Sequence, residues 1–126
     1  MKITPVLIVE EVEACLAFWV GRLGFTQVAV VPEGDKIGFA ILVNDGTELM
    51  LQSVESVRKD HAAFAPDSTP SGVTLFIEVA DFGDVLRRLE GYPVAMAERT
   101  TFYGMREIGV RSPAGNVVIL ACPQAQ

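Results

Sequence analysis

The side chains best equipped for chemistry lie in the segment Tyr103-Gly-Met-Arg-Glu107. A tyrosine ring can stack on a planar guest, and the flanking Gly104 leaves room for that guest to approach. An ordinary ring at a strand start is the competing reading. Arg106 and Glu107 are neighbours in a strand run, so they point to opposite faces. One then faces a pocket or partner surface and the other the outside; as exposed cross-strand ion pairs each would contribute under about 1 kcal/mol. Glu48 and Glu107 are the carboxylates placed to serve as a general base. Phe39, in the middle of an apolar run, either packs in the core or stacks on a ligand. Met50, Met96 and Met105 would give a pocket adaptable walls. Glu98 beside Arg99, and the pair Arg87-Arg88, read as solvated charges.

No further catalytic pattern accompanies them. The single histidine, His61, falls in a linker, and the two cysteines, Cys15 and Cys122, lack metal-ligand spacing. Both read as buried thiols of a reducing cytoplasm. No nucleophile elbow, phosphate-cradling glycine loop, or Cys-His or Ser-His pairing is present.

The elements that must position these residues come in two copies. Val12, Cys15, Leu16 and Trp19 form one apolar helical face, and Phe82, Val85, Leu86 and Leu89 repeat the spacing. Before each lies an apolar run, Thr4–Val9 and Thr74–Val79, and Glu11 and Asp81 open the two helices. Gly46-Thr-Glu-Leu-Met-Leu51 is echoed by Gly115-Asn-Val-Val-Ile-Leu120. The first copy reads as a strand (3–9), a helix (11–20) and strands over 25–31, 37–43 and 48–53, with turns at Pro32-Glu-Gly34 and Asn44-Asp-Gly46. The second reads as a strand (73–79), a helix (81–89) and strands over 93–101, 105–111 and 117–122. The expected class is α+β: two βαβββ repeats, at about 1–54 and 72–126 of a single domain. A linker over about 55–71 carries a short helix near 57–64 and the cluster Pro66, Ser68, Thr69, Pro70. Runs of strands after each helix exclude a doubly wound parallel sheet. Two such halves form a paired half-barrel, and a hollow between concave sheets suits a small ligand. Both faces of the first strand are apolar, so its periodicity fits either one turned inward.

The 126 residues suffice for a core without disulfides or metals. Half are hydrophobic, yet no run reaches membrane-spanning length, and no export signal opens the chain. The expected setting is the cytoplasm, away from membranes. A net charge of −6 argues against nucleic acid and is compatible with a cationic ligand.

Leu7-Ile-Val-Glu-Glu-Val-Glu-Ala-Cys-Leu-Ala-Phe-Trp19 leading to Leu23-Gly-Phe25 resembles the vicinal oxygen chelate superfamily of glyoxalases, extradiol dioxygenases and bleomycin resistance proteins. Tyr103-Gly-Met-Arg-Glu-Ile-Gly-Val-Arg-Ser-Pro-Ala-Gly-Asn116 looks most like the bleomycin resistance branch. The resemblance covers essentially the whole chain. It implies that a divalent metal would be held at Thr4, Met50, Thr74 and Ile119, where catalytic members carry His, Gln or Glu. None of these four is a usual ligand. A two-residue shift would bring in Glu48 and Glu78, without an imidazole. The implied protein therefore has no metal, cofactor or catalytic residue. It sequesters a drug or drug-like metabolite, cationic or planar, as a homodimer. The implied ligand-binding residues are Tyr103, Phe39, Thr4, Met50, Thr74, Ile119, Arg106 and Glu107. The alternatives are a glyoxalase-like lyase or isomerase (or a dioxygenase-like enzyme), and a regulatory module without a small ligand.

Overall fold

Two short amphipathic helices, each followed by three β-rich runs, give the chain the same layout twice. The structure, a computed structural model, describes residues 1–64 and 72–124. It divides into one unit over Met1–Ser71 and a second over Gly72–Gln126. The first unit contains β1 (Val6–Val9), α1 (Val12–Trp19), β2 (Thr26–Glu33), β3 (Lys36–Asn44), β4 (Thr47–Ser53) and α2 (Val54–His61), then a 3-10 turn at Ala62–Phe64. The second contains β5 (Leu75–Glu78), α3 (Phe82–Arg88), β6 (Val94–Thr100), β7 (Met105–Arg111) and β8 (Val117–Pro123).

Each unit is a four-stranded mixed sheet, ordered β1-β4-β3-β2 in the first and β5-β8-β7-β6 in the second. The first strand of each pairs in parallel with the last, and the remaining pairs are antiparallel. This is the expected βαβββ pattern, present twice. The register makes the correspondence specific: Val6 lies opposite Met50, and Phe76 lies opposite Ile119. Thr4 and Thr74 each stand two residues before those partners, so the two pairs occupy equivalent places.

One face of each sheet packs on helix. In β4, Leu49, Leu51 and Ser53 are buried while Glu48, Met50 and Gln52 are only partly so; in β3, Ala40 and Leu42 alternate with half-buried Phe39, Ile41 and Val43. Helix α1 lies against β3 and β4, and α3 against β8. Trp19, 1% exposed, meets Phe18 and Phe25 edge to face at 5.2 and 5.4 Å. The apolar stripe differs from expectation by one residue: Phe18 is buried and Leu16 is half-buried. The matching Leu86 of α3 is also half-buried, leaving Phe82, Val85 and Leu89 in the core.

Local chemistry sets the ends. Asp81 caps α3 by accepting from the Asp84 N–H at 2.9 Å, whereas Glu11, at the same place before α1, makes no side-chain cap. The shorter carboxylate fits an N-cap and the longer one does not feature among good caps. Asp45 and Gly46 both adopt positive φ (48° and 80°), the geometry of a tight hairpin turn between β3 and β4.

Four boundaries depart from expectation. Strands β1 and β5 begin at Val6 and Leu75, so Thr4 and Thr74 lie before their strands. The Pro5 carbonyl still accepts from the Met50 N–H at 3.0 Å. Strand β2 runs through Pro32, which was expected to end it; β2 is an edge strand, where a missing N–H is tolerated. The linker helix starts at Val54 rather than near Val57, because Ser53 accepts from the Ser56 N–H and caps it. The Pro66–Pro70 cluster lies outside the described residues. Beyond the β3–β4 ladder, the Ile37 N–H donates to the Glu13 carboxylate on α1 at 2.9 Å.

Candidate functional site

In the second unit the β6–β7 hairpin gathers the reactive side chains. A turn over Thr101–Gly104 joins the strands, with the Thr101 N–H donating to the Met105 carbonyl at 2.8 Å and the Gly104 N–H to the Thr101 carbonyl at 3.1 Å. The Met105 N–H also donates to Oγ1 of Thr101 at 3.1 Å. Gly104 has a φ of +81°, so glycine is needed here for the turn itself. The turn presents two rings: Phe102 is wholly exposed, and Tyr103, 52% exposed, meets it edge to face at 5.1 Å.

Below the turn, Arg99 lies opposite Glu107 and Thr100 opposite Arg106. Glu107 is 0% exposed. Its carboxylate is satisfied from two sides: Arg99 donates through Nε to Oε1 at 3.1 Å, with its Nη2 in ion-pair contact with the same oxygen at 3.1 Å, and the Tyr103 hydroxyl donates to Oε2 at 2.6 Å. A buried charge needs such compensation, since an unpaired one is strongly unfavourable. The hydrogen bond to Glu107, and next the partial loss of water, push the Tyr103 phenol above the usual tyrosine range.

Arg106 and Glu107 do point to opposite faces. Arg106 turns to the helix side, where its guanidinium sits 4.8 Å from the Phe82 ring centre and pairs with Glu98. It therefore does not share a face with Tyr103 and Glu107. Glu98 and Arg99 are exposed, as read from sequence, and in addition pair with the two neighbours on β7, one on each face. Arg87 and Arg88 do stand at an exposed helix end, both paired with Asp84. Arg99 was missed, although a signal existed: counting outward from a three-residue loop at 102–104, closed by Thr101 and Met105, places it opposite Glu107.

The remaining sequence candidates divide between the units. In the first, Met50 and Phe39 lie on the face away from α1, Met50 opposite Ile41 and Phe39 opposite Gln52. In the second, Ile119 lies opposite both Phe76 and Gly109, and Thr74 is exposed. Glu48 forms an ion pair with Lys2 at 2.7 Å, and Glu78 is exposed opposite Ala121. Neither unit provides nitrogen or carboxylate ligands at the superfamily's metal positions: Thr4 and Met50 offer a hydroxyl and a thioether, Thr74 and Ile119 a hydroxyl and nothing. These donors do not fit a catalytic divalent ion. Among the described residues, no three His, Cys, Asp or Glu side chains cluster so as to hold a metal. Nor is any of their helices long and apolar enough to cross a membrane.

Cys15 is buried on α1, and burial, then the nearby Glu11 charge, pushes its thiol up to about 11. Cys122 is a free thiol only half-buried, less enclosed than expected.

Comparison with solved structures returns the same fold. A glyoxalase/bleomycin resistance protein/dioxygenase from Nocardioides superposes with a TM-score of 0.76 at 22% identity, covering 98% of this chain and 84% of the other. A lactoylglutathione lyase from Agrobacterium tumefaciens gives 0.74 at 20%, covering 97% and 92%. TioX from Micromonospora sp. ML1 gives 0.76 at 15%, covering 98% of each chain. At such identities the likeness speaks for fold alone. Comparison with curated protein sequences finds no match. The sequence model of one family matches residues 3–120, nearly the whole chain, and with the doubled βαβββ architecture it places the protein in the Glyoxalase/Bleomycin resistance protein/Dioxygenase superfamily.

Proposed function

We propose that the protein binds a small molecule without metal and without chemistry, in the manner of bleomycin resistance proteins. The observation that carries this reading is the donor set at the metal positions, Thr4 with Met50 and Thr74 with Ile119, whose equivalence the strand register supports. A Lewis acid cannot be held there by the usual ligands, so the Lewis-acid catalysis open to metal-bearing members lacks its anchor in this chain. The carboxylates named as candidate bases are also engaged, Glu48 by Lys2 and Glu107 by Arg99 and Tyr103. Sequestration asks only for affinity, and the exposed Phe102 and Tyr103 rings supply surface for it.

In this reading the protein acts in the cytoplasm as a homodimer and confers resistance to a toxic guest. The exposed valines of edge strand β2, Val28, Val30 and Val31, support a partner surface. Sedimentation at micromolar concentration should show a dimer; monomer alone would remove that part.

The deciding experiment is elemental analysis of protein purified without chelators, paired with a thermal-shift screen of antibiotics and dicarbonyl compounds. The expected result is substoichiometric metal and stabilisation by at least one planar drug-like compound. Stoichiometric zinc, nickel, manganese or iron that survives dialysis, with turnover of a dicarbonyl–thiol adduct, would establish the lyase instead.

A further inference from the structure

We infer that the β6–β7 hairpin recognises a planar aromatic molecule bearing an anionic oxygen group, with Arg99 and Tyr103 as the contacts and Glu107 as their positioning residue. This rests on the small-molecule reading above and narrows it by naming the chemistry of the guest.

Glu107 does not serve as an anchor for a cation. It is wholly enclosed, and both its oxygens are already engaged by Arg99 and Tyr103. A cationic guest would have to displace Arg99, exchanging one ion pair for another. The groups that do reach outward are its two partners. The Arg99 side chain is 54% exposed and Tyr103 is 52% exposed. Arg99 turns its Nε–H and one edge of Nη2 to Glu107, which leaves the two Nη1 hydrogens and the outer Nη2 hydrogen, the end-on fork, for another acceptor. The guanidinium fork matches a carboxylate or similar oxyanion better than an ammonium does.

The geometry supplies the second half of the recognition. Arg99 and Tyr103 grip different oxygens of one carboxylate, so a ring and a guanidinium are held side by side at a separation one small molecule can span. Phe102, edge to face with Tyr103, extends the aromatic surface. Preorganisation of this kind lowers the ordering cost of binding. The acidic groups nearby face elsewhere or lie farther off. Glu98 is turned to the opposite face toward Arg106, and Glu78 on β5 is separated from Arg99 on β6 by two strands.

The test uses the full chain and three probes of one shape: naphthalene-2-carboxylate, naphthalene-2-carboxamide and 2-naphthylmethylammonium. Nitrogen–proton NMR titrations locate and rank them. The carboxylate should shift the signals of Arg99 and of 102–107, and bind at least fivefold tighter than the amide, with the ammonium weakest. Arg99→Lys, which keeps the charge and loses the fork, should cut the carboxylate-over-amide preference severalfold. Glu107→Gln should cut the same preference and move the Tyr103 phenol back toward the usual tyrosine range in an ultraviolet titration. A merely structural Glu107 would alter the melting temperature without moving that ratio. Should Glu107→Gln fail to fold, the probe ranking and Arg99→Lys still decide. Equal affinities, preference for the ammonium, or shifts confined to other parts of the chain overturn the inference. A drug-like compound that binds away from the hairpin, with all three probes silent, would remove this site and leave the small-molecule reading standing. Silence from the probes and the antibiotic screen alike would remove both.

Discussion

The two units carry different chemistry at the same point of the same fold. Measured from the parallel pair Val6–Met50 in one unit and Phe76–Ile119 in the other, the next row across each sheet is equivalent. In the first unit that row reads Val31, Phe39, Gln52, Ile8. In the second it reads Arg99, Glu107, Ala121, Glu78. A ring in one copy thus stands where a buried carboxylate stands in the other. The backbone tolerates either, because sheet pairing is made by main-chain groups and each row only has to satisfy its own side chains. The first row is apolar but for Gln52, whose amide donates to Ser56 Oγ at 3.1 Å, and it holds no charge that needs an ionic partner. The charged row needs partners, and it recruits Arg99 from the adjacent strand and Tyr103 from the turn. Duplicated topology therefore leaves one copy free to carry a charged cluster while the other keeps an uncharged row.

The helix sides differ in the same direction of enquiry, and here the largest effects are expected. Trp19, the last residue of α1, and Leu89, the C-cap of α3, hold equivalent places in the repeat, and both are buried. Trp19→Ala should cost about 3–5 kcal/mol and Leu89→Ala about 2–4 kcal/mol, measured by denaturant unfolding. If Trp19→Ala costs less than Leu89→Ala, the aromatic cluster is not the main anchor of the first unit.

The equivalent edge positions give the sharpest contrast. Arg99→Ala leaves the enclosed Glu107 with one donor and should cost about 2–3 kcal/mol. Val31→Ala, at the same row on exposed β2, should stay within about 0.5 kcal/mol. Equal costs would mean that Glu107 finds water or another donor when Arg99 is gone.

Tyr103→Ala tests mainly the site, although it also takes the Oε2 donor from enclosed Glu107, which costs about 1–3 kcal/mol of stability. Stacking on a single ring offers a scale of about 1–3 kcal/mol, so affinity for a planar guest should fall roughly tenfold or more. Its melting temperature should change less than that of Trp19→Ala. Loss of folding in Tyr103→Ala, with Trp19→Ala binding poorly yet melting normally, would exchange core for site.

The smallest effect concerns pH and lies in the first unit. The Ile37 N–H, then the backbone N–H of Glu13 itself, hold the Glu13 carboxyl below its usual 4.5. A group with a lowered folded value contributes stability above its unfolded value and loses it as pH falls through the folded one. Wild type should therefore lose more stability than Glu13→Gln on acidification below about pH 4.5, in paired urea titrations. Parallel curves would show that the bond to Ile37 persists when the carboxyl is protonated.

Much of the fold was legible in the chain. The repeated apolar spacing, the turn residues Asn44-Asp-Gly46 and the order of runs follow from local periodicity and local φ preference, which act over a few residues. The correspondence of Thr4 with Thr74 and Met50 with Ile119 was also readable, since matched letters mark matched places. Strand ends were less so. Pro32 continues β2 only because no neighbour asks for its missing N–H on that edge, which is a fact about sheet order.

The site divides along the same line. Composition and alternation alone determined that Arg106 and Glu107 part to opposite faces, because a pleated strand allows nothing else. They did not determine which of the two faces would meet a helix and which would carry the site. Packing of α3 on β8 decided that: it claimed the side holding Phe82, and Arg106 lies over that ring. Glu107 was thereby sent to the other face, where hairpin register set Arg99 across from it and the turn brought the Tyr103 hydroxyl within 2.6 Å. Sequence carries the period of side chains along a strand; only tertiary structure fixes which strands adjoin, and so which charges meet.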